Sequence, residues 1–378
     1  MKPIPISRPF TGPEEAAAAA AVLASGWLGM GPAVAALEQR FSDQLASPGA
    51  LLVSSGTTAL ELALEALGVG VGDEVITVSL SFIATANSVR RVGATPVFVD
   101  VEPEGFNLDA ARVEEAIGPR TRAVLCVHQL GMPCAIRQLQ EICQRRGLWL
   151  VEDAACALGS WLDEPGGSIP LGHPIADASC LSFHPRKVIT CGEGGLLTSP
   201  HAEVRRRAAV LRNQGMETGA GGLTFPLVGH NYRMTDLQAA VLGVQLDRLP
   251  GFVQQRRAQA LRYHDLLGAA LPGLTLPSEP PGTRGNWQSY CTLLPGGYSQ
   301  AAVLAHLEAK GVSCRGSVGL AHVQSAYADL PGPHHLPYSE DRHRRSLMLP
   351  IYPGLTSAQQ DQVVEALSQA LAAPTVRP

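Results

Sequence analysis

Ser182-Phe183-His184-Pro185-Arg186-Lys187 runs through Val188-Ile189-Thr190-Cys191 into Gly192-Glu193-Gly194-Gly195. The stretch leaves an apolar strand over 178–183, turns a corner fixed by Pro185, and ends in a glycine-rich turn before Leu196 and Leu197. Lys187 is thereby pinned between two folded elements. Lysine is among the side chains least often buried, so one held beside a core needs a chemical reason. A desolvated lysine has a depressed pKa and attacks a carbonyl as the free amine, giving a Schiff base. An ordinary surface lysine on a loop is the alternative that this stretch alone leaves open.

Outward from it, strands and helices alternate. Strands over 74–78 and 97–100 bracket a helix that Gly93 ends, and strands over 122–128 and 148–153 bracket a helix over 135–146. Such short spacing predicts an α/β fold whose mostly parallel sheet is covered by helices. The strand over 148–153 ends in Asp153, and the carboxyl end of a parallel strand is where α/β sheets carry ligand chemistry. Nearer the N-terminus, Leu51-Leu52-Val53 breaks into Ser54-Ser55-Gly56-Thr57-Thr58 and then a helix whose Leu60, Leu64 and Leu67 share a face before Gly68. A Ser/Gly/Thr turn at a helix N-terminus offers unpaired N–H groups to an anion, although the same residues also simply cap helices.

Thr11-Gly12-Pro13-Glu14 predicts a capping box and a helix from about 13 to Gly26, followed by a glycine-rich loop that contains Trp27. The glycine-rich segment 217–227 reads as mobile, and a long helix from 235 as interrupted at Pro250. Beyond a linker at 276–282 come a strand over 286–293, a helix over 301–310, a loop over 315–322, and a last helix capped by Thr356 and Gln359 with Val363, Val364, Leu367 and Leu371 inward. The division expected is a large domain over 1–250, whose N-terminal segment can pack on its neighbour, and a small α+β domain over 251–378.

The lysine stretch with its Gly-Glu-Gly-Gly turn resembles the lysine motif of the DegT/DnrJ/EryC1/StrS family, sugar aminotransferases of pyridoxal phosphate fold type I. The likeness extends from Gly26-Trp27-Leu28 to the last helix. It implies a large domain built on a seven-stranded, mostly parallel sheet, a smaller α+β C-terminal domain, and pyridoxal 5'-phosphate bound through Lys187. By position it implies that Asp153 keeps the cofactor's ring nitrogen protonated so that the ring accepts electrons, and that Phe82 stacks on the ring. Gly56, Thr57, Thr58 and Ser182 then hold the phosphate. Asn231 reaches the partner subunit's phosphate, which makes a homodimer part of the active site. Trp27 borders the site's mouth, and His322 matches a position that often faces the sugar. One departure stands out: the family's Asp-Ala-Ala-Gln-Ala-His-Gly reads Asp153-Ala154-Ala155-Cys156-Ala157-Leu158-Gly159 here. Cys156 is expected to line the cofactor pocket, where a thiol is a weaker hydrogen-bond partner than an amide.

The activity implied is transfer of an amino group from an amino acid, glutamate or glutamine, to a keto-sugar carried on a nucleotide. A keto-cyclitol or another natural-product ketone is the alternative acceptor. The family's sugar dehydratases carry histidine in place of the lysine, and a regulatory relative without turnover would lack Lys187 or Asp153. A desulfurase would need a mobile cysteine, for which Cys314 is the candidate. With 29 Lys+Arg against 33 Asp+Glu the net charge is -4, and no basic block marks a nucleic-acid partner. The eight cysteines form no C-x-x-C pair and have no zinc-ligand spacing, so no metal is expected. Prolines at 3 and 5 interrupt any signal-peptide core, and the alanine run over 16–24 is too short to span a bilayer. The chain therefore reads as a soluble cytoplasmic protein with reduced cysteines.

Overall fold

The computed structural model describes residues 3–219, 221–330 and 335–373. Seven strands build its central sheet: β1 (Ala50–Val53), β2 (Glu74–Val78), β3 (Thr95–Val99), β4 (Thr121–Val127), β5 (Trp149–Asp153), β6 (Ala178–Ser182) and β7 (Gly195–Thr198). Their order is β1-β7-β6-β5-β4-β2-β3. Only β7 is reversed, antiparallel to both neighbours, so the other six point the same way. Val75, Ile76, Val124, Leu125, Leu150 and Val151 are fully buried. Strands covered on both faces read as continuous apolar runs, as these do. One face packs on the helices Gly56–Ala66 and Ala202–Arg212 through Leu60, Leu64, Ala208 and Leu211. The other packs on Pro32–Gln44, Ile136–Arg146 and the first half of Asp236–Ala270, through Phe41, Leu139 and Leu242. Burying each large apolar side chain contributes about 1.5–3 kcal/mol relative to exposure.

The long helix Asp236–Ala270 passes through Pro250 without the expected break. An internal proline loses a backbone hydrogen bond and costs roughly 3 kcal/mol, yet this helix buries side chains in two cores. Leu242, Leu246, Leu249 and Phe252 enter the sheet's core, and Ala260, Tyr263 and Leu267 enter a second one. Packing at both ends outweighs the local penalty. The second core belongs to an α+β unit made of the antiparallel pair β8 (Tyr290–Leu293) and β9 (Ser346–Leu349) with the helices Gln300–Ala309 and Ser357–Ala372. Ile4 packs in that core and bridges Val312.

Three local expectations change. The first helix, Pro13–Ser25, is capped by Gly12 rather than Thr11, with the Gly12 N–H donating to Glu15 Oε2 at 2.7 Å. Pro13 then occupies the first helical position, where its missing N–H costs nothing. Within 286–293 only Tyr290–Leu293 is strand, because Trp287 takes a left-handed φ of 54° and turns Asn286 and Gln288 away from the ladder. Within 217–227, read as mobile, Glu217–Gly219 and Gly222–Thr224 pair as a short hairpin with Leu223 and Phe225 exposed; residue 220 lies outside the described residues. Among the described residues no helix is long and apolar enough to cross a membrane.

Candidate active site

The strands β1, β5 and β6 run in one direction, so their carboxyl ends open onto the same side of the sheet. After β1 the chain turns at Ser54 into the helix Gly56–Ala66. Ser55 caps it: its Oγ accepts the Thr58 N–H at 3.1 Å, while Thr58 Oγ1 accepts the Ser55 N–H at 3.0 Å. Thr58 is thus engaged within its own turn. The amides of Gly56 and Thr57, first in the helix, have no intrahelical acceptor and face outward with the positive end of the helix dipole. The turn rests on the end of β6, since a Cβ on Gly56 would lie 2.7 Å from Ser182 Cβ and 3.1 Å from its Oγ. Gly195 permits the same approach from β7, where a Cβ would lie 2.2 Å from the Ser55 carbonyl oxygen. Ser182 therefore stands beside the helix N-terminus.

Asp153, the last residue of β5, is 6% exposed. Its Oδ2 accepts from Thr85 Oγ1 at 2.7 Å and its Oδ1 from the Ala155 N–H at 3.1 Å. Thr85, buried at the start of Ala84–Arg91, also contacts Ser81 Oγ at 2.8 Å. These donors fix the carboxylate's orientation. Behind it, the His128 amide donates to the Asp153 carbonyl, and His128 Nε2 meets the fully buried Glu152 carboxylate at 3.1 Å. His128 Nδ1 accepts the Cys134 N–H, which leaves the imidazole proton on Nε2.

Lys187 is half-buried, and its Nζ donates to Cys156 Sγ at 3.1 Å. Its loop closes on itself: the Phe183 N–H bonds the Gly194 carbonyl, and Thr190 Oγ1 donates to the Phe183 carbonyl. Phe183 is buried against Phe41 at a ring separation of 5.4 Å. Burial holds the pKa of His184 below its ordinary value, and the charges of Lys187 and Arg186 add to this against the pull of Glu193. The small unit completes the pocket. Asn286 Nδ2 donates to the carbonyls of Cys156 and Leu158, and Gln288 Nε2 donates to the Arg186 carbonyl at 2.9 Å. Ala155, Cys156, Ser182, Lys187, Asn286 and Gln288 line the cavity. A far larger cleft of about 840 Å³, between the loop 102–107 and the segment 275–281, contains none of the predicted site residues. Burial there pushes the Glu102 carboxyl up to about 7.

The other predicted residues sit around this centre rather than in the wall of the lysine pocket. Phe82 is 67% exposed, outside any core, and its carbonyl accepts the Thr85 N–H. Trp27, 58% exposed, lies over Gly31, where a Cβ would come within 1.9 Å of the indole nitrogen. Its loop is held by the buried Asp236 carboxylate, which accepts from the amides of Gly31, Ala33 and Val34 at 2.8–3.0 Å. The His322 side chain is 5% exposed, bonded to Ser79 Oγ at 2.5 Å and close to Glu340. Asn231 is exposed, and the neighbouring Tyr232 carbonyl accepts the Ser54 N–H at the phosphate-type turn. Leu158, at the family's histidine position, is buried in the core and does line the lysine pocket. Thr85, Asn286 and Gln288 carry no motif signal, because their roles arise from contacts distant in sequence.

The chain matches known proteins along nearly all of its length. Residues 9–368 match the model of the DegT/DnrJ/EryC1/StrS aminotransferase family. GDP-perosamine synthase of Caulobacter vibrioides is 37% identical over 345 residues, spanning 90% of this chain and 91% of that protein. The aminotransferase TlmJ from Streptoalloteichus hindustanus superposes with a TM-score of 0.91 at 34% identity, covering 98% of this chain and 100% of its own. Spr1654 from Streptococcus pneumoniae, in its PLP form, gives 0.91 at 26% identity, covering 97% of this chain and 98% of its own. The chain belongs to the DegT/DnrJ/EryC1/StrS aminotransferase family and is a pyridoxal phosphate-dependent aminotransferase.

Proposed function

We propose that the protein moves an amino group from glutamate or glutamine to the carbonyl of a nucleotide-linked keto-sugar, as a cytoplasmic homodimer with its cofactor held at Lys187. The observation that carries this reading is a convergence at the carboxyl ends of β1, β5 and β6. There the Lys187 amine, the Asp153 carboxylate and the anion-receptive turn at Gly56 meet on one side of the sheet. This set fits pyridoxal phosphate, offering an amine for its aldehyde, a carboxylate for its ring nitrogen and, at the Gly56 turn packed against Ser182, the free amides of a helix N-terminus for its phosphate. The GDP-perosamine synthase relative supports a nucleotide-linked acceptor, since perosamine in that name is carried on GDP.

When bound, the cofactor supplies an electrophilic carbon and an electron-accepting ring. The Gly56 and Thr57 amides and the Ser182 hydroxyl would hold its phosphate, and Phe82 would lie against its ring. Asp153, oriented by Thr85 and Ala155, holds the proton at the ring nitrogen. Lys187 Nζ would take the proton from the donor Cα as a general base and return it as a general acid. Cys156 Sγ, a weak acceptor beside Nζ, orients that amine without attacking anything. The test is spectroscopic. Glutamate added without acceptor should convert the lysine-bound absorbance of the cofactor to that of its amine form, and a nucleotide-linked keto-sugar should reverse the change. Binding of cofactor with no conversion by any amino acid would end the transamination reading.

Two further outcomes follow from the phosphate site. Gly56→Ala places a methyl group against Ser182. Overpacking of this kind costs about 1–3 kcal/mol, so cofactor titration should give an affinity weakened roughly tenfold or more. Asn231→Ala should weaken cofactor binding by about 10- to 100-fold, as loss of a hydrogen bond to a charged group does. Because Asn231 serves the partner's site, co-expression with Lys187→Ala should restore activity. In the hybrid, one site keeps its own Lys187 and receives Asn231 from the other protomer. No restoration in purified hybrid dimers would place Asn231 in its own protomer's site.

A further inference from the structure

All eight cysteines are free thiols. Burial pushes Cys143, Cys191, Cys291 and Cys314 up to about 12, and Cys180 well above its ordinary value. Cys126 and Cys134 hydrogen-bond to each other, which raises the first and lowers the second, and both are buried. A buried, protonated thiol is inert, because the thiolate is the nucleophile. Cys156 is placed differently. It is partly exposed in the wall of the lysine pocket, and Lys187 Nζ lies 3.1 Å from its Sγ. A second cation, Arg315, is close enough for the thiol to act on it. Reactive cysteines occupy such electropositive, partly exposed surroundings. The thiol stands where the family's pattern carries glutamine, so the pairing with Lys187 belongs to this chain and not to that pattern.

A thiol in contact with a primary amine has a reaction open to it that an isolated cysteine lacks. Hydrogen peroxide oxidises a thiolate to a sulfenic acid, and a sulfenic acid condenses with a nitrogen. In the first step the Cys156 thiolate attacks a peroxide oxygen, the O–O bond breaks, and hydroxide leaves to become water. Lys187 Nζ then attacks the oxidised Sγ as the free amine. The S–O bond breaks, an S–N bond forms, and the hydroxyl departs with the amine's proton as a second water. Sulfur gives up two electrons and the peroxide takes them. The geometry suits the second step: Asn286 Nδ2 donates to the Cys156 carbonyl at 2.8 Å and holds that backbone, while the flexible four-carbon stem of lysine lets Nζ close the remaining gap. A dithiol reductant reverses the link by attacking Sγ, which releases first the amine and then the thiol. While it lasts, the link also keeps Cys156 from the irreversible sulfinic acid.

We propose that Cys156 and Lys187 form a reversible, peroxide-driven cross-link that withholds the lysine from the cofactor. It rests on Lys187 as the cofactor's attachment point and lies outside the transamination cycle, in which Cys156 attacks nothing. In cofactor-free, full-length protein treated with hydrogen peroxide, mass spectrometry of a digest should find the Cys156 and Lys187 peptides joined, about 2 Da lighter than their sum. Pyridoxal phosphate added afterwards should give a lysine-bound absorbance lowered at least about tenfold, and dithiothreitol should restore it. Cys156→Ser should take up cofactor equally before and after peroxide. Lys187→Ala has no amine to intercept the sulfenic acid, so its Cys156 should gain about 32 Da as sulfinic acid. In the holoenzyme, peroxide should form the cross-link only after glutamate has freed Lys187. Unjoined peptides in treated wild type, or an equal loss of cofactor uptake in Cys156→Ser, overturns the proposal. If Cys156→Ser does not fold, the wild-type peptides decide alone. A cross-link in protein whose cofactor no amino acid converts would end the transamination reading and leave this proposal standing. Conversion by glutamate with no cross-link would end this proposal alone.

Discussion

Lys187→Ala is expected to lose at least about a thousandfold in turnover, since on the proposed mechanism it removes both the covalent attachment and the general base of the proton transfer. The protein should remain folded. The Lys187 side chain contacts Cys156 Sγ, and the loop is closed without it, by the Phe183 N–H donating to the Gly194 carbonyl and the Thr190 hydroxyl donating to the Phe183 carbonyl. Its thermal midpoint without cofactor should therefore match wild type. With pyridoxal phosphate it should bind the cofactor through the phosphate turn yet lack the lysine-bound absorbance. Lys187→Arg separates charge from chemistry, because a guanidinium keeps the positive charge and stays protonated at any pH the protein tolerates. It should be as inactive as alanine. A small primary amine added to Lys187→Ala should recover part of the rate by occupying the vacated space beside Cys156. Full activity in either variant would mean that another amine carries the cofactor.

How much of this was legible in sequence follows from the range of the interactions. The continuous apolar runs of β2, β4 and β5 gave away a sheet covered on both sides, because burial acts on each strand separately. The places of the Gly56 turn at a helix start, Asp153 at a strand end and Lys187 in the loop after a strand were readable, because each follows from local chain pattern. Thr85, Asn286 and Gln288 were not. Thr85 touches a carboxylate 68 positions away, and Asn286 bonds carbonyls 128 and 130 positions away. The continuity of the long helix through Pro250 was hidden for the same reason, since proline's local penalty was visible and the two cores that overcome it were not. Thr58 shows the opposite limit. The motif points to an anion contact, while the capping box already uses its amide and hydroxyl.

Asp153→Asn is expected to lower the rate of the donor half-reaction by about a hundred- to ten-thousandfold, the span over which a positioned proton-bearing group contributes. The substitution preserves shape and removes charge, and two consequences can be measured apart. The Asp153 carboxylate accepts from two donors, Thr85 Oγ1 and the Ala155 N–H. An amide keeps one acceptor oxygen and presents its own N–H to the other donor, which leaves a buried donor unpaired at a cost of about 1–3 kcal/mol. That loss should appear as a lower thermal midpoint even without cofactor. The catalytic loss should appear only with cofactor bound, because a neutral amide cannot hold the proton at the ring nitrogen. Thr85→Val separates the two effects. It retains the charge and removes one orienting donor, so it should reduce the rate modestly, while Thr85→Ser should restore it. Should Asp153→Asn lower the midpoint and leave the half-reaction rate intact, Asp153 would be a structural acceptor at the end of β5, and the electron-accepting state of the ring would need another source within the pocket.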